Sequence, residues 1–253
     1  MNLDLLLLVV YLIVVTYIIS QAITSLSDQT KVATVGKHLE EQLEAKKIDG
    51  KPLKDLVGIS FRFEDRYKFD QQPKTLTITV ENKSTDYYLY VDWDSSSLTT
   101  YDPNQSRRVI RIAPDQRISD VGLPQVFSAI PPKLKLQASI TSEATLKWNA
   151  TEQVMAINEP IINLDLLKTV AKKVTTPQFI KDIDFNFRER RKPIEFYLRL
   201  LLRITDVTQE EGDDRLQQIT TLYGKGNYQT LLTCKFTVTK MAWVDQIPWN
   251  PQK

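Results

Sequence analysis

"TLTITVENKSTDYYLYVDWDSSSLTTYD", residues 75–102, decides the fold. Leu76, Ile78 and Val80 alternate with threonines, and Tyr87, Leu89, Val91 and Trp93 alternate with Tyr88, Tyr90, Asp92 and Asp94. A period of two in β-branched and aromatic residues marks strands that turn one face to a core. The break "ENKSTD" at 81–86 is made of turn-forming residues, so the two runs are predicted to be neighbouring antiparallel strands. Working outward, the period recurs in "ISFRF" from Ile59, "RRVIRI" at 107–112 and "KLKLQASIT" at 133–141, directly after "IPP". The longest runs are "IEFYLRLLLRITDV" at 194–207 and "YQTLLTCKFTVTKMAWV" at 228–244, which predict one long hairpin closed by a polar insert. Strands at such intervals are most economically packed as a two-sheet antiparallel sandwich.

The opening stretch raises a chemical question. Alternation puts Asp92 and Asp94 on one strand face, about 7 Å apart at the backbone. With Asp102 they make three acids that could hold calcium or serve a hydrolase. The spaced D-x-D-x-D-G loop with a closing glutamate is missing, however. Acids at a strand end ordinarily cap a turn by accepting backbone N–H groups, here with help from the "SSS" hydroxyls. The structural reading is adopted, with Trp93 as an inward core residue.

Upstream, "LDLLLLVVYLIVVTYIISQAI" at 3–23 carries one charge, Asp4, at its outer end. As a helix it spans about 31 Å, matching a hydrocarbon core of roughly 30 Å. A cleaved secretory signal would begin with positive charge, but the first Lys or Arg is Lys31. "ISQAITS" is also a poor cleavage site, so a retained single transmembrane span is predicted. Lys31, Lys37, Lys46, Lys47, Lys51 and Lys54 all follow the span. This places the C-terminal domain on the cytoplasmic side, with Asp28, Glu40 and Glu41 weakening the bias. Asn82, Asn104 and Asn149 open glycosylation sequons, meaningful only in a eukaryotic secretory setting.

In residues 28–47, Val32, Val35, Leu39 and Leu43 form one helical stripe, which predicts a juxtamembrane amphipathic helix. It packs on the protein or, alternatively, lies on lipid with Lys46 and Lys47 near the headgroups. A helical insert is predicted near 162–175, from Leu164, Leu167, Val170 and Val174. The run "RERRKP" at 188–193 concentrates positive charge. Such a run is ordinarily a solvated loop, and can meet acidic lipid or an acidic partner through Arg188, Arg190, Arg191 and Lys192. The proline-broken tail brings Trp243 and Trp249 back onto the domain or a partner. These features divide the chain into an anchor at 1–24, a helix and linker at 25–56, a β domain at 57–247 and a tail at 248–253.

The 253 residues are 42% apolar and 25% charged, with a net charge of +2, too small for a nucleic-acid binder. There is one histidine, His38, and one cysteine, Cys234, so no internal disulfide forms. His38 is expected on a solvated helix away from the β domain, and Cys234 on an inward strand face with Leu232 and Phe236. No C-x-x-C, H-E-x-x-H or phosphate-loop motif occurs. Catalytic residues, cofactors and metals are therefore not predicted.

The stretch from Asn82 through "DWDSSS", "SRRVI" and "IPP" resembles a module of uncharacterised bacterial membrane-anchored and lipoprotein-type proteins. The carrying residues are Asn82, Asp92, Trp93, Asp94, Ser96, Ser97, Asp102, Ser106, Arg107, Val109, Ile110, Pro131 and Pro132. The resemblance covers about 60 residues and implies a mainly β, immunoglobulin-like sandwich held at a bacterial inner or, by its cyanobacterial flavour, thylakoid membrane. No cysteine follows the apolar segment, so a protein span replaces the lipid anchor. The expected function is non-enzymatic: a β domain that binds another protein as an accessory, assembly or scaffolding factor of a membrane complex. The alternative is a small-ligand, lipid or glycan module with a concave pocket drawing on Tyr87, Tyr88, Tyr90 or Tyr101.

Overall fold

The computed structural model describes residues 3–27, 29–102, 105–113, 121–206 and 227–241. It opens with helix α1, Leu3–Ser27, and strand β1, Gln29–Thr34. Helix α2, Gly36–Ala45, leads to a two-residue ribbon, β2 (Lys47–Ile48) and β3 (Lys51–Pro52), and a single helical turn α3, Leu53–Leu56. Seven strands follow: β4 Val57–Arg62, β5 Tyr67–Lys68, β6 Leu76–Asn82, β7 Tyr87–Thr99, β8 Ser106–Ile112, β9 Ser128–Ile130 and β10 Lys135–Ser142. A small hairpin, β11 Leu146–Asn149 with β12 Val154–Ile157, precedes helices α4, Leu164–Ala171, and α5, Gln178–Arg188. The long strands β13, Ile194–Asp206, and β14, Asn227–Lys240, complete the order.

The fold is mainly β and antiparallel. Ten strands form one sheet in the order β4-β6-β10-β8-β7-β13-β14-β1-β5, with β9 beside β7. The sheet curls because β8 serves two neighbours. Ser106–Arg108 pair with β7, whereas Val109–Ile112 pair with β10. The two halves then face one another. Phe61 of β4 meets Phe236 of β14 edge to face at 4.7 Å, and Phe196 of β13 stacks on the same ring at 4.8 Å. Contacts of this kind join β4 to β14, six places apart in the order, and each such ring pair adds roughly 0.5–1.5 kcal/mol beyond its area burial. The period of two explains the core: every second residue of β6, and those of β13 from Ile194 to Ile204, are buried.

Among the described residues, no helix is long and apolar enough to cross a membrane. The α1 backbone itself is helical over 25 residues, about 37 Å. Its leucines, valines and isoleucines are exposed around the helix, from Leu5 to Ile19, with Val15 partly covered.

Residues 28–47 do not form one helix. Residues 29–34 pair with β14, Thr30 opposite Lys240 through Thr34 opposite Phe236. Val32 is buried because of strand alternation, not helical spacing, and only Leu39 and Leu43 belong to a helix stripe. An available edge on β14 overrode the three-and-four spacing, and residues 29–56 are built into the β domain. The 162–175 insert is seen as α4, but α5 was not expected. Its buried Ile180 and Phe187 are interspersed with exposed Phe179 and Phe185, which blurs the period. The tail and the 208–226 insert lie outside the described residues.

Candidate functional site

The aspartates part company. Asp92 is 1% exposed, and its Oδ2 accepts a hydrogen bond at 2.6 Å from Arg203, whose guanidinium lies 4.5 Å over the Phe127 ring. Asp94 instead accepts from the Gln125 backbone at 2.8 Å and side chain at 3.0 Å, with Arg108 3.5 Å away. Among the described residues, no group of three His, Cys, Asp or Glu side chains could hold a metal ion. The expected capping is present but in a different setting: the strand does not end at "DWD". It bulges, and residues 93–96 stand opposite the single residue Leu200. Asp92 accepts from Ser95 N–H at 3.0 Å, while the Ser96 hydroxyl donates to the Asp92 carbonyl at 2.5 Å and accepts from Leu201 N–H at 3.1 Å. The serines therefore satisfy the backbone groups that the bulge unpairs.

Asn82 is a structural knot. Its amide donates to the carbonyls of Tyr87 at 2.8 Å and Ile130 at 2.9 Å, and its oxygen accepts from both Ser84 N–H and Oγ. At 2% exposure, with both amide protons used, it cannot carry a glycan. Trp93 is fully buried, its indole N–H donating to Ser128 Oγ at 2.8 Å. Cys234 is likewise buried, which pushes its thiol up to about 12.

His38 is not solvated away from the β domain. It is half-buried, with Nδ1 3.1 Å from the Thr233 carbonyl. Beyond the end of β1, helix α2 covers the open edge of β14 with side chains. The Gln42 amide donates to Thr233 O at 2.7 Å and accepts from Thr233 N–H at 2.9 Å, imitating a strand. Lys46 continues the ladder, donating to Thr230 Oγ1 at 3.1 Å and to the Leu231 carbonyl. Burial lowers its ammonium pKa.

Lys46 is thus engaged in the fold, while Lys47 is exposed. Arg188 pairs with Asp184 at 2.7 Å, Arg191 lies 5.0 Å over Phe185, and Arg190 sits in the left-handed region at φ 57°. Lys192 lines a groove that shares no residue with the small pocket beside Lys46 and Lys47. Trp249 lies outside the described residues.

That groove is a well-formed concavity among the described residues. Its volume is about 520 Å³, between α5 and the outer face of β13. Phe179, Ile183 and Asn186 come from the helix, and Glu195, Tyr197 and Arg199 from alternate positions on the strand. The end of β7 adds Thr99, followed by Tyr101. Of the four tyrosines expected in a pocket, only Tyr101 is here. Tyr87 and Tyr228 both donate their hydroxyls to Asp49, lowering that carboxyl's pKa, and Tyr88 stacks on Tyr90 at 6.4 Å. Glu195 is occupied: Lys235 is 2.8 Å away and Tyr197 Oη donates to it at 2.7 Å. Burial opposes ionisation of Glu195, but these two partners outweigh it and hold the carboxyl below its usual range. The side chains of Lys192 and Arg199 have no polar partner among the described residues. The groove was invisible in sequence because α5 was; the outward alternation of Glu195, Tyr197 and Arg199 was the available signal.

Comparison with family models, with curated proteins and with solved structures returns no match to this chain.

Proposed function

We propose that this chain is a non-enzymatic, single-span membrane protein. Its β domain, an immunoglobulin-like sandwich, binds another protein as an accessory, assembly or scaffolding factor of a membrane complex. The carrying observation is the exposed apolar surface of α1, from Leu5 to Ile19, on a helix of 25 residues. Such a surface is unstable in water; it runs about 22 Å along the axis, which fits inside a hydrocarbon core of roughly 30 Å. Helix α1 ends at Ser27 and β1 starts at Gln29, which tethers the first strand within about 7 Å of the helix end. The domain would thereby be presented at the membrane surface, and the lysines after the span favour the cytoplasmic side. Among the described residues, three side chains that could do chemistry serve the fold instead: Asp92 binds Arg203, Asp94 binds Gln125, and Cys234 is core.

The test is purification of the C-terminally tagged chain from membranes in mild detergent. Stoichiometric companions of one defined complex are expected. A lone 29 kDa protein after crosslinking, in several detergents, would refute the accessory role. The groove under α5 favours the second reading, a small-ligand, lipid or glycan module.

A further inference from the structure

The α5 groove combines three properties that select a ligand. Its walls are apolar where Tyr101, Phe179, Ile183 and Tyr197 meet. Its volume of about 520 Å³ falls in the range of small-molecule sites. Its charge is unbalanced: among the described lining residues the single carboxylate, Glu195, is already paired with Lys235, which leaves Lys192 at one end and Arg199 at the other as exposed cations whose side chains have no partner there. An apolar cavity with two uncompensated cations is complementary to a molecule with an apolar body and one negative head. Arg199 offers a planar fork of donors suited to a carboxylate. It stands in β13, next in alternation to Tyr197, so an anion at its guanidinium would extend its tail across the tyrosine toward Ile183.

We infer that the groove between α5 and β13 binds an amphipathic carboxylate, its head at Arg199 and its tail across Tyr197 beneath Phe179 and Ile183, toward the Lys192 end. The inference rests on the ligand-binding reading of the groove and not on the membrane anchor. Glu195 contributes by remaining paired with Lys235, since a free carboxylate there would repel the ligand head.

The test is titration of the full chain, held in phosphatidylcholine nanodiscs, with octanoate and with neutral octanamide, by calorimetry against empty nanodiscs. Octanoate is expected to bind at least about tenfold more tightly than octanamide. The double substitution Lys192→Gln, Arg199→Gln should abolish that preference without altering the unfolding midpoint. Ile183→Trp, which fills the groove, should remove binding of both. Equal binding of the two probes, or a preference that survives in the double variant, overturns the anionic head while leaving a ligand groove standing. Absence of saturable binding by either probe, or binding unaffected by Ile183→Trp, overturns the site together with the ligand reading.

Discussion

Replacing Arg203 by Met tests whether the "DWD" segment is held by a buried charge pair. Asp92 is 1% exposed and Arg203 18%, so the substitution leaves a carboxylate in the interior with only Ser95 N–H, among the described residues, as its remaining hydrogen-bond donor. Removing one member of a buried pair costs about 3–5 kcal/mol. The arginine is not wholly desolvated and its buried Nε lacks a partner, which favours the lower end. Methionine keeps most of the apolar stem but forfeits the cation–π contact with Phe127, about 0.5–1 kcal/mol. A loss near 3 kcal/mol corresponds to a fall in Tm of about 6–12 °C for a domain of this size. Urea unfolding of the full chain in detergent, followed by tryptophan fluorescence, reads this directly, because Trp93 is buried beside Asp92. In the double variant Asp92→Asn, Arg203→Met no charge is stranded, and the asparagine oxygen still accepts from Ser95. It should recover about 2 kcal/mol relative to the sum of the single changes. The reasoning fails if Arg203→Met costs under 1 kcal/mol, or if the two changes are simply additive.

Three further outcomes follow from the same geometry. Gln42→Leu unpairs Thr233 N–H on the β14 edge and leaves its C=O to His38 alone, and should cost about 1–3 kcal/mol, with faster aggregation seen by light scattering. Cys234 should react with a thiol reagent only on unfolding: with its thiol pushed up to about 12, thiolate is roughly a thousandfold scarcer than in the free chain, so labelling should track the urea transition. Glu195 has a depressed folded pKa, so its contribution exists above the unfolded carboxylate value near 4.3 and is lost as pH falls through the folded value. Glu195→Gln should therefore be less stable than the native chain at pH 7, by under about 1 kcal/mol given the 41% exposure, with the gap closing toward pH 3 in thermal melts.

The strands were legible wherever both neighbours impose one buried face. The β13–β14 hairpin is such a case, with Ile194 opposite Val238 and Thr205 opposite Asn227. Strand β1 was not, because six residues with one inward valine fit a helix stripe equally well until the β14 edge is known. Asp92 was read as outward by alternation alone. It is buried because Arg203, 111 residues later, and Phe127 cover the outer face of β7 at the bulge. The matched serines and Asn82 had visible backbone-capping chemistry, though their partners did not. Sequence spacing carries no record of which loop returns over which face, and the α5 groove was hidden for the same reason.

The central claim is a β domain held at a membrane by α1, and alkaline carbonate extraction of membranes containing the full chain tests it most directly. The account predicts that the native chain stays in the pellet, whereas Leu8→Arg with Val14→Arg, each about 2.5–3.5 kcal/mol costlier at mid-bilayer, moves it to the supernatant with its urea midpoint intact. Release of the native chain by carbonate, with the β domain still folded, would contradict it.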